Sequence, residues 1–182
     1  MSRKFRILNQ HQAYFITCSI IKWLDMFKEK EYRDIIIDSL KYCQKHKGLI
    51  IYAWCFMYDH IHLIIGTRNQ PMHNILRDFK SYTSRHIRKE MYKHIQTTKI
   101  ASMYHEMKNA GMMNNNNNDW QFWQQHNHPQ ELFSKKVADQ KLNYIHYNPV
   151  KAGLIDDPKN WEYSSAIDYD GGKGLIDIEF LK

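Results

Sequence analysis

Leu49-Ile50-Ile51-Tyr52-Ala53-Trp54-Cys55-Phe56-Met57, then Tyr58-Asp59-His60, then Ile61-His62-Leu63-Ile64-Ile65 is the stretch on which the fold turns. Two apolar runs, rich in β-branched and aromatic residues, flank a short polar break. That pattern predicts a β-hairpin with its turn near Tyr58 and Asp59. Alternate residues of a strand share a face, so His60 and His62 project together while Ile61 faces the core. Two imidazoles on one face can reach one divalent ion. Because the chain has eleven histidines, the same spacing alone also fits a structural or surface role. What favours a site is its place, directly after a tight turn and at the head of an apolar strand with no packing use for two imidazoles.

Upstream, Ala13 to Ile20 (AYFITCSI) predicts a first strand. From Lys30 to Lys47, Tyr32, Ile35, Ile36, Leu40 and Cys43 recur at helical spacing, and Gly48 stands where a helix terminates. Downstream, Pro71 opens a second helical pattern running to about Tyr92. Its expected buried face is Met72, Ile75, Leu76, Phe79, Tyr82 and Ile87, and its basic rim includes Arg77, Lys80, Arg85 and Arg88. Residues 96–119 lose periodicity and contain Asn114 to Asn118, which predicts a flexible Asn-rich loop. Trp120 to Leu132 contains a candidate strand, with Pro129 arguing for an edge or a strand end. A third helix is expected from Ser134 to about Tyr147, with Ala138, Leu142 and Ile145 on its inner stripe and Pro149 ending it. Residues 151–182 form a C-terminal extension with a candidate strand at Leu175 to Phe180.

The order is strand, helix, strand, strand, helix, strand, helix. It predicts an α+β fold, a ferredoxin-like antiparallel sheet with helices packed on it, within a single domain spanning residues 1–182. A chain of 182 residues, 43% hydrophobic, can bury one real core. Lys and Arg outnumber Asp and Glu by 26 to 19, a formal charge of +7 that favours polyanionic partners such as nucleic acid. Cys18, Cys43 and Cys55 are odd in number and form no CxxC pair, so they read as reduced core thiols. No signal-peptide core follows Met1, and no apolar run approaches the roughly 20 residues that span a bilayer. The expectation is a cytoplasmic protein without membrane attachment.

Tyr144-Ile145-His146-Tyr147-Asn148-Pro149 carries the second motif. Tyr144 and Asn148, four residues apart, share a helix face if the helix persists, whereas His146 points elsewhere. On its own the pattern favours a core aromatic followed by a helix C-cap before proline.

Taken together and in order, AYFITCS, Ala53-Trp54, Tyr58-Asp59-His60-Ile61-His62-Leu63-Ile64, Phe79-Lys80-Ser81-Tyr82-Thr83-Ser84-Arg85, Trp123-Gln124, Tyr144 to Gly153 and Trp161-Glu162-Tyr163-Ser164-Ser165 resemble the REP-associated tyrosine transposases. These belong to the single-tyrosine HUH transposases, and the resemblance runs from about residue 13 to 166. It implies that His60 and His62 are metal ligands, Tyr144 the nucleophile and Asn148 a third ligand, with Mg²⁺ or Mn²⁺ as cofactor. It implies further that single-stranded DNA beside a hairpin, a repetitive extragenic palindrome, is the substrate, cut through a 5′-phosphotyrosine. Where the family usually carries proline and then asparagine or glutamate before the first histidine, this chain has Tyr58 and Asp59.

Lys80, Arg85 and Arg88 are the expected phosphate contacts, and Trp123 or Trp120 the expected stacking surface for bases. A monomer is favoured over a homodimer. Two alternatives remain: a domesticated protein that holds a DNA or RNA hairpin without cutting it, and a metallohydrolase that uses water in place of Tyr144.

Overall fold

A computed structural model describes residues 7, 9–10, 12–115 and 119–181. Four strands, β1 (Tyr14–Ser19), β2 (Leu49–Phe56), β3 (His60–Thr67) and β4 (Gln130–Glu131), form one antiparallel sheet in the order β2-β3-β1-β4. The helices are α1 (Lys30–Lys47), α2 (Met72–Lys93), α3 (Thr98–Met112), α4 (Lys135–Lys151) and a short α5 (Ala166–Tyr169). The βαββ order and the two central strands β1 and β3 are the ferredoxin-like arrangement expected from the sequence.

The sheet is buried on both faces. Ile16, Cys18, Ile61, Leu63 and Ile65 point toward α1 and α2 and join Ile36, Leu40, Ile75, Phe79 and Ile87 in the larger core. Phe15 and Ile64 point the other way, where Ala138 and Ile145 of α4 close a smaller core. In β2 the alternation changes phase: Leu49 and Ile51 face the larger core, then Trp54 and Phe56 do. A register shift between Ile51 and Ala53 explains it, because one extra residue in a strand reverses which residues face inward. Burying both faces this way makes β2 and β3 near-continuous apolar runs.

Helix α1 ends where Gly48 adopts a left-handed conformation (φ 71°). On α2 the buried stripe includes Thr83, and Tyr82 instead lies exposed, stacked on His86. The three cysteines are free and buried, as expected.

Tyr82 departs from its expected buried position, and four further sequence expectations are corrected. Within the stretch read as an aperiodic loop, Thr98–Met112 is helix α3, which buries Ile100 and Met107. Gly111 permits it to pack, since a β-carbon there would lie 2.1 Å from the backbone nitrogen of Trp120. Asn116, Asn117 and Asn118 of the asparagine run lie outside the described residues. The strand expected between Trp120 and Leu132 is reduced to Gln130–Glu131 and one bridge, Ile20 to Trp123. No strand forms at 175–180; there a single N–H of Glu179 reaches Ile51 O, along the β2 edge that Tyr163 and Ser165 also cover. That cover protects an otherwise exposed sheet edge.

Finally, α4 does not stop before Pro149 but runs through it to Lys151. Its real terminus is a Schellman motif: Gly153 N–H donates to Val150 O, Leu154 N–H donates to Pro149 O, and Gly153 holds φ 69°. Proline so near the end removes one donor without breaking the helix. Asn148 therefore stays helical, one turn beyond Tyr144.

Candidate active site

The turn between β2 and β3 is clamped from both sides. Met57 N–H donates to His60 O, Ile20 N–H to Asp59 O and Phe27 N–H to Tyr58 O, each at 2.8 Å. His60 and His62 then project from the sheet face that α4 covers, and their Nε2 atoms lie 3.1 Å apart. Each ring is oriented from behind. The His60 Nδ1 lies 2.6 Å from Asp59 Oδ1, and the His62 Nδ1 lies 2.9 Å from Thr17 Oγ1 on the paired strand β1. The Asp59 carboxylate can only accept, which places the proton on His60 Nδ1 and turns the His60 Nε2 lone pair toward His62, whereas the Thr17 hydroxyl can accept from or donate to the His62 Nδ1. Asp59 and Thr17 escaped the sequence reading, although the carboxylate directly before the first histidine was an available signal.

His62 is only 4% exposed. Burial, reinforced by His60 and Lys141, lowers its pKa to about 3, so it stands neutral with its lone pair available.

Two neighbouring ligands of an octahedral ion at about 2.1 Å stand about 3.0 Å apart, which the 3.1 Å separation of the nitrogens matches. The donor set therefore fits a divalent cation. Among the described residues no group of three or more His, Cys, Asp or Glu side chains converges on an ion. Such a site would keep most of the cation's charge and would complete its shell with a neutral donor, water or phosphate.

Tyr144 stands against this pair. Its ring meets His62 edge-on at 5.2 Å between centroids and Phe15 at 5.8 Å, and it remains 39% exposed. The ammonium groups of Lys141 and Lys151 each lie 5.7 Å from the Tyr144 ring centre. With Gln140, Asn143 and Tyr147 they line an open depression of about 330 Å³. Asn148 is half-buried on the same helix and forms no hydrogen bond to either histidine. His146 faces inward, its Nε2 2.9 Å from Ser165 Oγ, and burial lowers its pKa to about 4. Its role is to tie α4 to the covered edge of β2.

The expected DNA contacts also come together, though in a different place. Lys80, Arg85, Arg88 and Trp123 line one groove of about 580 Å³ that shares no residue with the Tyr144 depression. All four already make contacts within the fold. Lys80 is half-buried and donates to Gln124 O at 2.9 Å. Arg88 makes a bidentate pair with Asp119 and holds that carboxyl below its usual range. Trp123 is 6% exposed, packs against Phe27, Phe79 and Phe122, and donates its indole N–H to Thr83. Its expected stacking surface is therefore spent in the core, because burial of a large apolar ring outweighs exposure. Arg85 alone of the four is exposed, its Nε donating to Ser81 O at 3.3 Å one turn back on α2.

A family model described as "Transposase IS200 like" matches residues 10–119, which include the histidine pair and stop before Tyr144. No curated protein matches the chain. A REP-associated tyrosine transposase solved bound to a REP hairpin is similar in fold, with a TM-score of 0.67 at 14% identity over 100% of this chain and 94% of that one. A protein described as a transposase from Deinococcus radiodurans R1 gives a TM-score of 0.45 at 17% identity, covering 79% and 95% of the two chains. No helix among the described residues is long and apolar enough to cross a membrane. With more than half of its length matched by that model, the chain belongs to the IS200-like transposase family.

Proposed function

We propose that the protein cleaves and rejoins single-stranded DNA through a 5′-phosphotyrosine on Tyr144, with a divalent cation, Mg²⁺ or Mn²⁺, held by His60 and His62. The observation that carries this reading is the joint geometry of the three side chains. Two imidazole nitrogens converge at 3.1 Å, and a solvent-accessible phenol lies on the same face, one ring away. A protein that only holds a hairpin has no use for that combination. The DNA hairpin bound by the structurally similar REP-associated transposase supports a hairpin-flanked strand as the substrate.

Each residue has a definite task. When bound, the cation would act as a Lewis acid on the scissile phosphate. His60 and His62 orient their lone pairs through Asp59 and Thr17, and Asn148 is the proposed third protein donor. Tyr144 attacks phosphorus through Oη, so the Oη–P bond forms as the bond to the 3′-oxygen breaks. The phenolic proton passes to solvent and the departing 3′-oxygen takes one up. Lys141 and Lys151 put two positive charges beside Tyr144 to receive the phosphate backbone. Because the phosphotyrosine conserves the bond energy, a second 3′-hydroxyl can reverse the step without a nucleotide cofactor. Arg85, with Lys80 and Arg88 behind it, contributes to holding the duplex part of the substrate, and a monomer suffices for a site drawn from one chain.

The test is a denaturant-resistant protein–DNA adduct formed with a labelled hairpin bearing single-stranded flanks, in Mn²⁺ or Mg²⁺. The adduct must vanish in Tyr144→Phe and persist in His146→Ala. Strand cleavage without an adduct would favour a metallohydrolase, and tight binding without cleavage would favour a hairpin-binding module.

A further inference from the structure

Trp23 stands apart from the other four tryptophans. Trp54 and Trp123 are buried and Trp120 and Trp161 half-buried, while Trp23 is 55% exposed. Its position is also conformationally costly. Lys22 and Trp23 are consecutive non-glycine residues with φ 54° and 55°, a left-handed region that L side chains rarely occupy.

The backbone around them is held from several directions. Ile20 N–H donates to Asp59 O and Ile21 N–H to Phe122 O, both at 2.8 Å, and Trp23 N–H closes onto Ile20 O at 3.1 Å. Lys22 is further tied by an ion pair with Glu106 on α3. By contrast, the Trp23 side chain makes no hydrogen bond, and the ring partner it has is His60, met edge-on at 5.9 Å between centroids. Neither core packing nor a hydrogen bond explains why a large ring is displayed here at the expense of backbone strain. Strain kept at such a point, beside a site and fixed by its surroundings, is the mark of a functional constraint.

The rings form a row on one face of the sheet: Trp23, His60, His62, Tyr144. Trp23 thus lies on the opposite side of the histidine pair from the nucleophile. We infer that Trp23 is a stacking platform for a base of the strand bound at the histidine pair, replacing the buried Trp123 as the aromatic that grips single-stranded DNA. The inference rests on the proposed strand-cleaving role of the same site and names a determinant of strand positioning within it. Aromatic stacking is tolerant of sequence, because every base has a π-face. It would therefore hold the strand in place while leaving choice of target to other contacts.

The test separates base contacts from phosphate contacts. Binding of a labelled oligo-dT strand is compared with binding of a strand of equal length made wholly of abasic sites, at one salt concentration. Stacking of one base is worth about 1–3 kcal/mol, or roughly 5- to 150-fold in affinity. The wild-type chain should prefer oligo-dT by at least the lower figure. Trp23→Ala should lose that preference while binding the abasic strand as before, and Trp23→Phe should retain most of it. Trp23→Gly should lose the preference yet melt no lower than wild type, because glycine accepts this φ without strain.

The inference is overturned if wild type shows no preference for bases, if Trp23→Ala keeps it, or if Trp23→Ala weakens both strands equally. The readout needs no strand cleavage. An adduct-forming protein indifferent to Trp23 would overturn only this inference, and a base-dependent Trp23 without any adduct would overturn only the cleavage reading.

Discussion

Removing the Asp59 carboxylate should weaken cation binding about tenfold without unfolding the protein. Asp59 Oδ1 lies 2.6 Å from His60 Nδ1. That contact keeps the Nδ1 proton in place and the Nε2 lone pair turned toward His62, and it makes the imidazole a better donor. Loss of such a supporting carboxylate typically costs 10- to 100-fold in metal affinity, about 1.4–2.7 kcal/mol. The side chains of His60 and Asp59 are 17% and 26% exposed, so water screens part of the interaction and the lower end applies.

Mn²⁺ titration followed by calorimetry on wild type and Asp59→Ala measures the effect directly, and thermal unfolding in a chelator serves as the control. Asp59→Asn, which keeps an oxygen that can accept from Nδ1–H, should fall between the two. Unchanged Mn²⁺ affinity in Asp59→Ala would refute the assignment of Asp59 as the group that orients His60. It would leave the contact as a surface pairing of little worth.

Further predictions rest on the supports around the site. His146, with its pKa lowered to about 4 by burial, is neutral in the fold, whereas the unfolded chain takes up a proton near ~6.5. Its stability contribution is complete above that value and is lost as pH falls toward 4, up to about 3 kcal/mol. Metal-free His62 titrates in the same sense toward about 3, so the effect is read as a flatter melting-temperature-versus-pH curve in His146→Gln than in wild type. Trp123→Ala should cost about 3–5 kcal/mol of stability as a core truncation, whereas Arg85→Ala should leave the melting temperature nearly unchanged and reduce the salt dependence of DNA binding by about one counterion. Gly153→Ala meets no steric neighbour but must hold φ 69°, so denaturant unfolding should register a loss of about 1–2 kcal/mol.

Much of this arrangement is legible in the sequence where one force dominates. The hairpin of β2 and β3, α1 and α2 follow from apolar patterning, and the His-x-His spacing follows from strand geometry. The reading fails where a long-range contact decides the outcome. The phase change in β2 depends on a register shift that only pairing with β3 creates. Ile100, Met103, Tyr104, Met107 and Gly111 do recur at helical steps in α3, but the adjoining asparagine run and the close approach of Trp120 to Gly111 conceal it. At Pro149 a local rule about proline gave way to the Schellman motif built on Gly153.

The candidate site divides in the same way. His60, His62 and Tyr144 come together as the ordered motifs imply. Trp123 joins Lys80, Arg85 and Arg88 along a separate groove, but its ring is packed in the core, where it is worth more than at the surface. Trp23 carried no sequence signal at all, since its backbone conformation and its proximity to His60 exist only once the chain is folded.

The most direct measurement is the yield of denaturant-resistant protein–DNA adduct from a hairpin substrate with single-stranded flanks, in Mn²⁺, for wild type and Tyr144→Phe side by side. The account predicts an adduct with the wild-type chain, its disappearance in a chelator, and none with Tyr144→Phe. An undiminished adduct in Tyr144→Phe would contradict it and move the nucleophile elsewhere, to Tyr147 first among its neighbours.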